Sequence, residues 1–329
     1  TCGLCQERCP SNVQYVDFVR ACREEARLLG ITGNCSHKDV LLDLQRIMAN
    51  PKTKQKRLSW LPKDAKVSET SDILYFVGCL PYFDVIFKDI NVKSLETAKS
   101  VVRILNKVGI EPVLLKNERC CGHDLYFTGD MENFEKLAKM NVTAIREAKA
   151  KKVITSCAEC YRTLKLDYPK IVGDLGFEVI HISEFLADII AKEQLEFPEV
   201  FEDKKVVYHD PCRLGRQMGV YDPPRSVIKS IPETDLLEME RSRENSLCCG
   251  VSAWLNCGKL SKQIQLDRLK EAKATGAEWL ITACPKCQIH LKCAMDGELP
   301  VKRSKVDVKV YDLAVLVEKA LDKKHSRKE

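Results

Sequence analysis

The sequence has no apolar run long enough to cross a membrane, and it has no segment that resembles a secretory signal. A membrane-spanning helix needs about 20 consecutive, mostly apolar residues. We therefore expect any contact with a membrane to be made through a partner. The chain starts at Thr1, and we expect that a natural N-terminus lies further upstream.

The sequence also lacks a strong excess of charge of either sign. It contains 53 Lys and Arg against 47 Asp and Glu, a formal net charge of +6. Two short basic stretches, Lys52 to Arg57 and Lys323 to Lys328, have few aromatic neighbours. Nucleic-acid-binding surfaces combine basic clusters with recognisable folds or aromatic platforms. We predict that these stretches are a solvated linker and a solvated tail, and we expect no nucleic-acid partner.

Cysteine is what the sequence has in excess, with 17 among 329 residues. A secreted disulfide scaffold fits poorly, because the count is odd, the chain is long and no secretory signal is present. Apolar residues make up 45% of the chain and charged residues 30%, as in a globular protein with a sizeable core. The length suits two domains and a short leading segment.

Ten cysteines form two copies of one pattern: a single Cys, then Cys-Cys-Gly, then Cys-x-x-Cys. The gaps are 40 and 35 residues in the first copy and 35 and 34 in the second. The first set comprises Cys79, Cys120, Cys121, Cys157 and Cys160. The second set comprises Cys212, Cys248, Cys249, Cys284 and Cys287. Two such sets predict two soft-metal sites on a duplicated scaffold.

The first residues carry a different cysteine pattern. Cys2, Cys5 and Cys9, followed by Pro10, match the last three cysteines of the bacterial ferredoxin run C-x2-C-x2-C-x3-C-P. We predict that residues 1–49 are the C-terminal part of a truncated, helical ferredoxin-type domain, with these three cysteines as cluster ligands. Two helices are predicted between residues 13 and 48, and residues 50–72 are predicted to be a linker.

The rest of the chain predicts a duplicated α/β fold, with units at residues 73–200 and 201–329. Strands alternating with helices are typical of a mostly parallel sheet. Predicted strands cover residues 73–77, 112–115, 153–156, 177–182, 206–208, 280–283 and 306–311. Predicted helices cover residues 132–150, 185–191, 259–274 and 313–321. We expect each metal cysteine to follow a strand and precede a helix, at the carboxyl edge where such sheets place their sites.

Five thiolates exceed the four that a structural zinc ion or a simple cubane cluster needs. A tight Cys-Cys-Gly turn can present two sulfurs to neighbouring irons, since glycine lets the backbone approach closely. The surplus ligand indicates a cluster of unusual shape. Zinc binding and a Cys-Cys disulfide are the alternatives to an iron–sulfur cluster.

The doubled pattern resembles the Cys-Cys-Gly cysteine-rich domain of heterodisulfide reductases, and the segment from His209 to Arg225 is similar to its second copy. With the ferredoxin-type segment in front, essentially the whole chain resembles the D-type subunit. The resemblance implies two non-cubane [4Fe-4S] clusters, one in each set, and cubane clusters in the ferredoxin-type segment. It implies reduction of the disulfide of coenzyme M and coenzyme B, in an anaerobic, methanogenic setting.

The same resemblance implies a membrane cytochrome b subunit, or a soluble flavoprotein or hydrogenase complex, as the partner. We therefore expect a cytoplasmic location, with membrane association through a partner subunit. The sequence departs from the family pattern at Val251 to Trp254, where many relatives have a glycine-rich stretch. The first gap of 40 residues is also slightly long. Both departures bear on the identity of the substrate.

His209 and Asp210 lie next to Cys212 and are the candidates for supplying protons or tuning the site, with a structural turn as the alternative. His123 carries the same two interpretations. Lys286, inside the second CxxC, is interpreted as a solvated lysine, with binding of an anionic substrate as the alternative. We assign no role to Cys22, Cys35, Cys257 and Cys293.

Two other functions compete with a disulfide reductase. One is an electron-transfer iron–sulfur subunit beside a flavin lactate or glycolate oxidase, or in a sulfate-respiration membrane complex. The other is a zinc-stabilised interaction protein, which the number of ligands disfavours.

Overall fold

Two parallel β-sheets, one in each half of the chain, carry the two sets of cysteines in the computed structural model. The structure describes residues 1–198, 203–296, 306 and 308–322. The predicted basic tail and the predicted boundary at residue 200 lie outside these residues. A Cys-Cys-Gly pattern and a parallel sheet occur in each unit, so the predicted α/β class with duplicated units is confirmed.

The elements alternate along the chain as expected of α/β units. The strands are β1 (Ile73–Phe76), β2 (Lys152–Thr155), β3 (Glu178–His181), β4 (Lys204–His209), β5 (Thr234–Leu237), β6 (Trp279–Thr282) and β7 (Lys309–Asp312). The helices are α1 (Leu4–Glu7), α2 (Tyr15–Leu28), α3 (Val40–Met48), α4 (Leu80–Ile86), α5 (Ser94–Lys107), α6 (His123–Thr128), α7 (Met131–Glu147), α8 (Ala158–Arg162), α9 (Pro169–Val172), α10 (Ile182–Ala191), α11 (Asp222–Lys229), α12 (Lys259–Ala274), α13 (Pro285–Asp296) and α14 (Leu313–Leu321). None of the helices in the described ranges has both the length and the apolar character to span a bilayer.

The two sheets share one topology. Strands in the first sheet run in the order β1-β2-β3, and those in the second in the order β5-β4-β6-β7. Strands β1, β2 and β3 therefore correspond to β4, β6 and β7. Their central residues are buried on both faces, which suits parallel strands covered by helices on each side.

The segment at residues 112–115 was predicted as a strand, and this prediction is wrong. Val113 alone bridges β1: its N–H donates to Ile73 O at 2.9 Å, and Tyr75 N–H donates to Val113 O at 3.0 Å. The preceding Pro112 faces the other way, where its carbonyl accepts from Ser68 N–H at 3.2 Å, and no further residue of this segment pairs with β1. In the second unit, β5 forms a complete strand at the corresponding place.

The expected placement of cysteines after strands holds for only part of the sets. Cys79, Cys157, Cys212 and Cys284 follow β1, β2, β4 and β6. The Cys-Cys pairs instead end loops, and Cys212 is followed by turns rather than by a helix. In each unit two strand ends carry cysteines, and a loop brings the Cys-Cys pair to them. In the first unit, Asn141 of α7 fixes this loop through Arg119 N (2.9 Å) and Cys120 O (3.0 Å).

Helices from the two units pack against each other in two equivalent pairs. Helix α5 of the first unit packs on α14 of the second, and α11 of the second packs on α10 of the first. An ion pair between Arg103 and Glu318 (2.9 Å) joins α5 to α14. This exchange of helix contacts relates the units by an approximate twofold axis.

The N-terminal segment has the two predicted helices, α2 and α3, which pack on the first unit, whereas its first residues contact the second unit. The predicted linker at residues 50–72 forms turns. Its basic stretch is exposed at Lys52, Lys54 and Lys56, but the interpretation as solvated is wrong for Arg57. Arg57 is buried because it pairs with the buried carboxylate of Glu118.

Gly129 allows α2 to approach α6, so the change Gly129→Ala should loosen this contact. A Cβ at this position would lie 2.5 Å from Glu24 Cα, and its φ of +80° is itself unfavourable for alanine by about 1–2 kcal/mol. We expect a clear fall in the melting temperature. Gly109→Ala is the matched control, since Gly109 has φ +78° and nothing within 4 Å of the added Cβ. An equal fall in the melting temperature of both variants would show that the close approach of α2 to α6 contributes nothing to stability.

Candidate metal centre

Glycines with left-handed backbone shape the cysteine turns. Gly122 and Gly250, the glycines of the two Cys-Cys-Gly motifs, have φ of +78° and +87°. Gly78 precedes Cys79 with φ +66°, and a Cβ there would lie 2.9 Å from Cys160 Sγ. Only glycine accommodates both this backbone conformation and the adjacent sulfur.

The five thiols of the first set form a line in which each thiol is near enough to the next to shift its pKa. Cys79 contacts Cys120, and Cys120 contacts Cys121. Cys121 contacts Cys160, and Cys160 contacts Cys157. The order in space therefore differs from the order in the sequence, because the second cysteine of the CxxC turn, Cys160, contacts Cys121, and the first, Cys157, lies at the end of the line.

The second set repeats this line at equivalent positions. Cys212 contacts Cys248, and Cys248 contacts Cys249. Cys249 contacts Cys287, and Cys287 contacts Cys284. Each set thus begins at the single cysteine and ends at the first cysteine of its CxxC turn.

The two lines meet at Cys157 and Cys284, which are near enough to shift each other's pKa. Ten sulfurs form one continuous path, and its two halves are related by the approximate twofold axis between these two residues. The contacts with Cys160 and Cys284 lower the pKa of Cys157 to about 5. Contact with Cys157 is the largest cause that raises the pKa of Cys284, to about 12.

The donor set suits soft metals, because it consists of thiols alone. In a tetrahedral zinc site the sulfurs lie about 3.8 Å apart, as follows from Zn–S bonds of about 2.3 Å. Within the described residues, no three of these sulfurs lie mutually within 4.8 Å. The sulfurs form two extended five-membered lines, which fit multi-iron clusters better than single zinc ions.

The three cysteines of the ferredoxin-type pattern differ in their surroundings. Cys2 contacts Cys248, and this contact is the largest cause that lowers the pKa of Cys2 to about 5. Cys5 is exposed and Cys9 is half-buried. The N-terminal segment therefore lies directly against the second set. Cubane-cluster ligation by Cys2, Cys5 and Cys9 stays a prediction.

A buried ion cluster lies at the same junction, and Lys286 is at its centre. The interpretation of Lys286 as a solvated lysine is wrong, because its side chain is only 5% exposed. Its Nζ contacts Asp124 and lies 2.6 Å from Glu159 Oε2. Glu159 and Lys286 occupy the same position in the two CxxC turns, so this ion pair crosses the twofold axis.

His123 joins the ion cluster to Arg213. Its Nδ1 lies 3.0 Å from Asp124 Oδ1 and 3.3 Å from Glu159 Oε2, and its Nε2 accepts from Arg213 Nε at 3.0 Å. Burial is the largest cause that holds the pKa of His123 well below its usual range. The ring is therefore neutral, with its proton on Nδ1. Lys286 occupies the space between the acidic groups that a metal ion would need.

The segment that begins at Val251, where many relatives have a glycine-rich stretch, still adopts the positive φ angles that glycine favours. Ala253, Trp254 and Asn256 have φ of +51°, +59° and +57°. The buried indole of Trp254 donates from Nε1 to Asp124 Oδ2 at 3.1 Å. The ammonium of Lys286 lies 4.7 Å from the centre of this indole ring. Contacts of this kind hold an unfavourable backbone conformation in place.

His209 and Asp210 are both buried at the end of β4. Arg268 Nε donates to His209 Nδ1 at 3.1 Å, and burial is the largest cause that lowers the pKa of His209 to about 3. Both oxygens of Asp210 accept from Arg225, at 2.7 and 3.0 Å. These contacts fix the strand end that carries Cys212. Proton supply by His209 and Asp210 stays a prediction.

The four remaining cysteines lie outside the sulfur path. Cys22 is exposed, and burial raises the pKa of Cys35 to about 11. Burial also raises the pKa of Cys257. Lys262 Nζ lies 3.0 Å from Cys293 Sγ. No disulfide links any of the 17 cysteines.

Several residues around the two sets were not singled out in the sequence: Asp124, Glu159, Arg213 and His290. Arg213 follows Cys212 directly, and Glu159 lies inside a CxxC turn, so proximity to a predicted ligand was the available signal. His290 could not be found this way, because its contact with Cys249 (Nδ1 to Sγ, 3.3 Å) joins residues 41 positions apart.

Duplicated parallel units with this arrangement of thiols define a class of cysteine-rich redox-type domains. The family model for the CCG cysteine-rich domain matches residues 73–165 and 206–292. Over 98% of its length, this chain is 38% identical to the D-type subunit of dihydromethanophenazine:CoB–CoM heterodisulfide reductase from Methanosarcina acetivorans, and it covers 76% of that protein. The chain therefore belongs to the family of D-type heterodisulfide reductase subunits.

Two further comparisons show how widely this architecture occurs. The EtfAB:quinone oxidoreductase of Syntrophomonas wolfei is 32% identical over 80% of this chain, which covers 36% of that protein. A crystal structure of a hypothetical protein from Helicobacter pylori superposes with a TM-score of 0.55 at 12% identity. That match covers 88% of this chain and 59% of the other, and it shows the fold alone.

Removing the cation from the buried ion cluster of Lys286, Asp124 and Glu159 should strongly destabilise the fold. In Lys286→Met, Asp124 and Glu159 would stay buried without their cation, at a cost of about 3–5 kcal/mol. We expect a large fall in the melting temperature. The control is Lys151→Met, which removes an exposed pair with Asp72 and should have little effect. A similarly small fall in the melting temperature of both variants would contradict the assignment of Lys286 to a buried ion pair.

Proposed function

We propose that this chain is the catalytic subunit of an iron–sulfur disulfide reductase, which reduces a heterodisulfide of the CoM-S-S-CoB type to two thiols. The main support is the continuous path of ten sulfurs that meets at Cys157 and Cys284. Two complete five-cysteine sets in contact provide two adjacent redox sites. Membership of the family of D-type heterodisulfide reductase subunits supports the same reaction.

The two sets would each hold a non-cubane [4Fe-4S] cluster, and Cys2, Cys5 and Cys9 would serve cubane clusters of the ferredoxin-type segment. The bound clusters would supply the electrons and soft iron sites for the sulfur atoms of the substrate. Reduction of R-S-S-R′ consumes two electrons and two protons, and it releases RSH and R′SH. The protein must therefore hold two sites together, restrict water and supply protons.

The residues at the junction suit these three tasks. The ion pair of Lys286 with Glu159 fixes the two CxxC turns relative to each other. The buried rings of Phe127, against His123, and Trp254, against Lys286, would help to exclude water. His123 holds a proton at Nδ1 beside two carboxylates, and His209 and Asp210 are the candidates beside the second set.

We further propose that electrons arrive through the N-terminal segment, because Cys2 contacts Cys248 of the second set. The donor would be a membrane cytochrome b subunit, or a soluble flavoprotein or hydrogenase complex. A cytoplasmic location, at the cytoplasmic face of a membrane if the partner is a cytochrome, suits a chain whose 17 cysteines are all free.

A second candidate function is electron transfer without disulfide cleavage, as in an iron–sulfur subunit beside a flavoprotein oxidase or in a sulfate-respiration membrane complex. The similarity to a protein named EtfAB:quinone oxidoreductase favours this alternative. Both functions use the same clusters, so they differ only in whether a thiol or disulfide reacts at the junction.

The test is anaerobic preparation of the protein, quantification of iron and sulfide, and EPR after oxidation in the presence of coenzyme M thiol. We expect about eight irons from the two sets, a thiol-dependent paramagnetic signal, and disulfide reduction with reduced viologen. Iron without a thiol response or turnover would favour electron transfer. Zinc in place of iron would contradict both redox functions.

The matched variants are Cys157→Ser and Cys293→Ser. Cys157 ends the first set at the junction, whereas Cys293 lies on α13 outside the sulfur path. We expect Cys157→Ser to abolish turnover and alter the thiol-dependent signal, and Cys293→Ser to retain at least half of the activity. The reverse result would place the reacting site elsewhere.

A further inference from the structure

We propose that Cys257 and Cys293, together with Lys262, form a separate thiol site that reacts with low-molecular-weight disulfides and closes to an intramolecular disulfide. Neither cysteine belongs to the path of ten sulfurs, and the reaction requires no metal. The inference therefore goes beyond the proposed function and does not depend on it. It follows from the position of one buried ammonium group beside two thiols that the metal sites do not use.

Two packed helices bring Lys262 and Cys293 together. Lys262 lies near the start of α12, and Cys293 lies on α13. The helices pack against each other through a buried apolar cluster that includes Leu266 of α12 and Ala294 of α13. Lys262 Nζ lies 3.0 Å from Cys293 Sγ, so the ammonium donates a hydrogen bond to the sulfur. This contact joins residues 31 positions apart, and no local pattern in the sequence indicates it.

Cys257 reaches the same place from the loop that precedes α12. This loop is held on the first turn of the helix, because Ser261 Oγ donates to Asn256 O at 2.7 Å. Burial is the largest cause that raises the pKa of Cys257, and Lys262 and Cys293 are both near enough to shift it as well. The two thiols therefore lie beside one ammonium group.

The ammonium of Lys262 has thiols rather than carboxylates as its neighbours. Lys262 is 7% exposed, and no carboxylate among the described residues forms an ion pair with it. A buried charge without an opposite charge is costly, and a thiolate supplies the opposite charge. The thiolate is also the form of cysteine that attacks a disulfide. Cys293, which accepts the hydrogen bond, is therefore the attacking residue, and Cys257 is the second thiol of the reaction.

Both thiols are accessible to a small reagent. Cys257 and Cys293 are half-buried, and Cys257 lies between exposed Asn256 and exposed Gly258. Residues 256–258 belong to neither a helix nor a strand. Cys257 can therefore approach Cys293 without breaking the hydrogen bonds of a helix or a sheet.

The reaction is thiol–disulfide exchange in two steps. In the first step, the Cys293 thiolate attacks one sulfur of RS–SR, forms a mixed disulfide with it and releases RS⁻. In the second step, the Cys257 thiolate attacks the Cys293 sulfur and releases the second RS⁻. The two thiol protons go to the released thiolates. One small disulfide is thus reduced to two RSH, while two protein thiols are oxidised to a disulfide.

Closing the thiol site joins two elements that carry ligands of the second set. Cys257 follows Cys249 with no helix or strand between them, and Cys293 follows Cys287 on α13. The disulfide would therefore tie the loop after Cys249 to the helix that carries Cys287. Because the thiol site is separate from the sulfur path, Cys293→Ser should still retain metal-dependent turnover.

The test treats the intact, anaerobically prepared protein with hydroxyethyl disulfide in the absence of a reductant. Free thiols are then alkylated, and the peptides are analysed by mass spectrometry. We expect a disulfide between Cys257 and Cys293, with release of two molecules of mercaptoethanol for each protein that closes. Exposed Cys22 on α2 is the internal control, and we expect it to react about tenfold more slowly than Cys293.

Variants separate the two steps and the role of the cation. Cys257→Ser should stop after the first step and keep the mixed disulfide on Cys293, whereas Cys293→Ser should leave Cys257 unmodified. Lys262→Met should slow the first step about tenfold, and Lys262→Arg should restore part of the rate by keeping the charge. Lys259→Met is the matched control, because Lys259 is an exposed lysine of the same helix, and it should change nothing.

An unmodified Cys293, a mixed disulfide that persists on Cys293 of the unaltered chain, equal rates at Cys22 and Cys293, or no effect of Lys262→Met would each overturn the inference. The first three outcomes are read from the unaltered chain, so the test does not depend on the folding of a variant. Closure of the thiol site without viologen-dependent turnover would remove the reductase function and leave the inference standing. Turnover with Cys293 unmodified would do the opposite.

Discussion

The contact between the CxxC turns at Cys157 and Cys284 determines how the two units are arranged. Both cysteines lie at the carboxyl ends of strands, so their meeting brings the sites of two parallel sheets together. The exchanged helix pairs, α5 with α14 and α10 with α11, pack around this junction. One consequence is that two five-thiol sites, distant in sequence, form a single line of sulfurs.

Holding the turns together places charged groups in a buried region, where each unpaired charge would be costly. The chain meets this requirement by placing opposite charges at equivalent positions, Glu159 in one CxxC turn and Lys286 in the other. Asp124, neutral His123 and the indole of Trp254 complete the hydrogen bonds. The sulfurs of the duplicated fold are therefore arranged symmetrically about the twofold axis, whereas the charged residues around them are not.

Much of the fold was predictable because its signals are local. Apolar runs at residues 73–77 and 153–156 predicted β1 and β2, and periodic residues predicted α2, α3, α7 and α12. The prediction was wrong at residues 112–115, where Val113 alone bridges β1. It was also wrong for Arg57 and Lys286, because burial of a charge depends on a partner that is distant in sequence.

The sequence by itself determined the two five-cysteine sets, the duplicated α/β class and the family, since motif spacing and hydrophobic periodicity are properties of the chain. Only the tertiary structure decided that Cys160 rather than Cys157 approaches Cys121, that Cys157 meets Cys284, and that Cys2 lies against Cys248. It also decided which charges face each set. Contacts of this kind arise from the packing of one unit on another, and no local pattern encodes them.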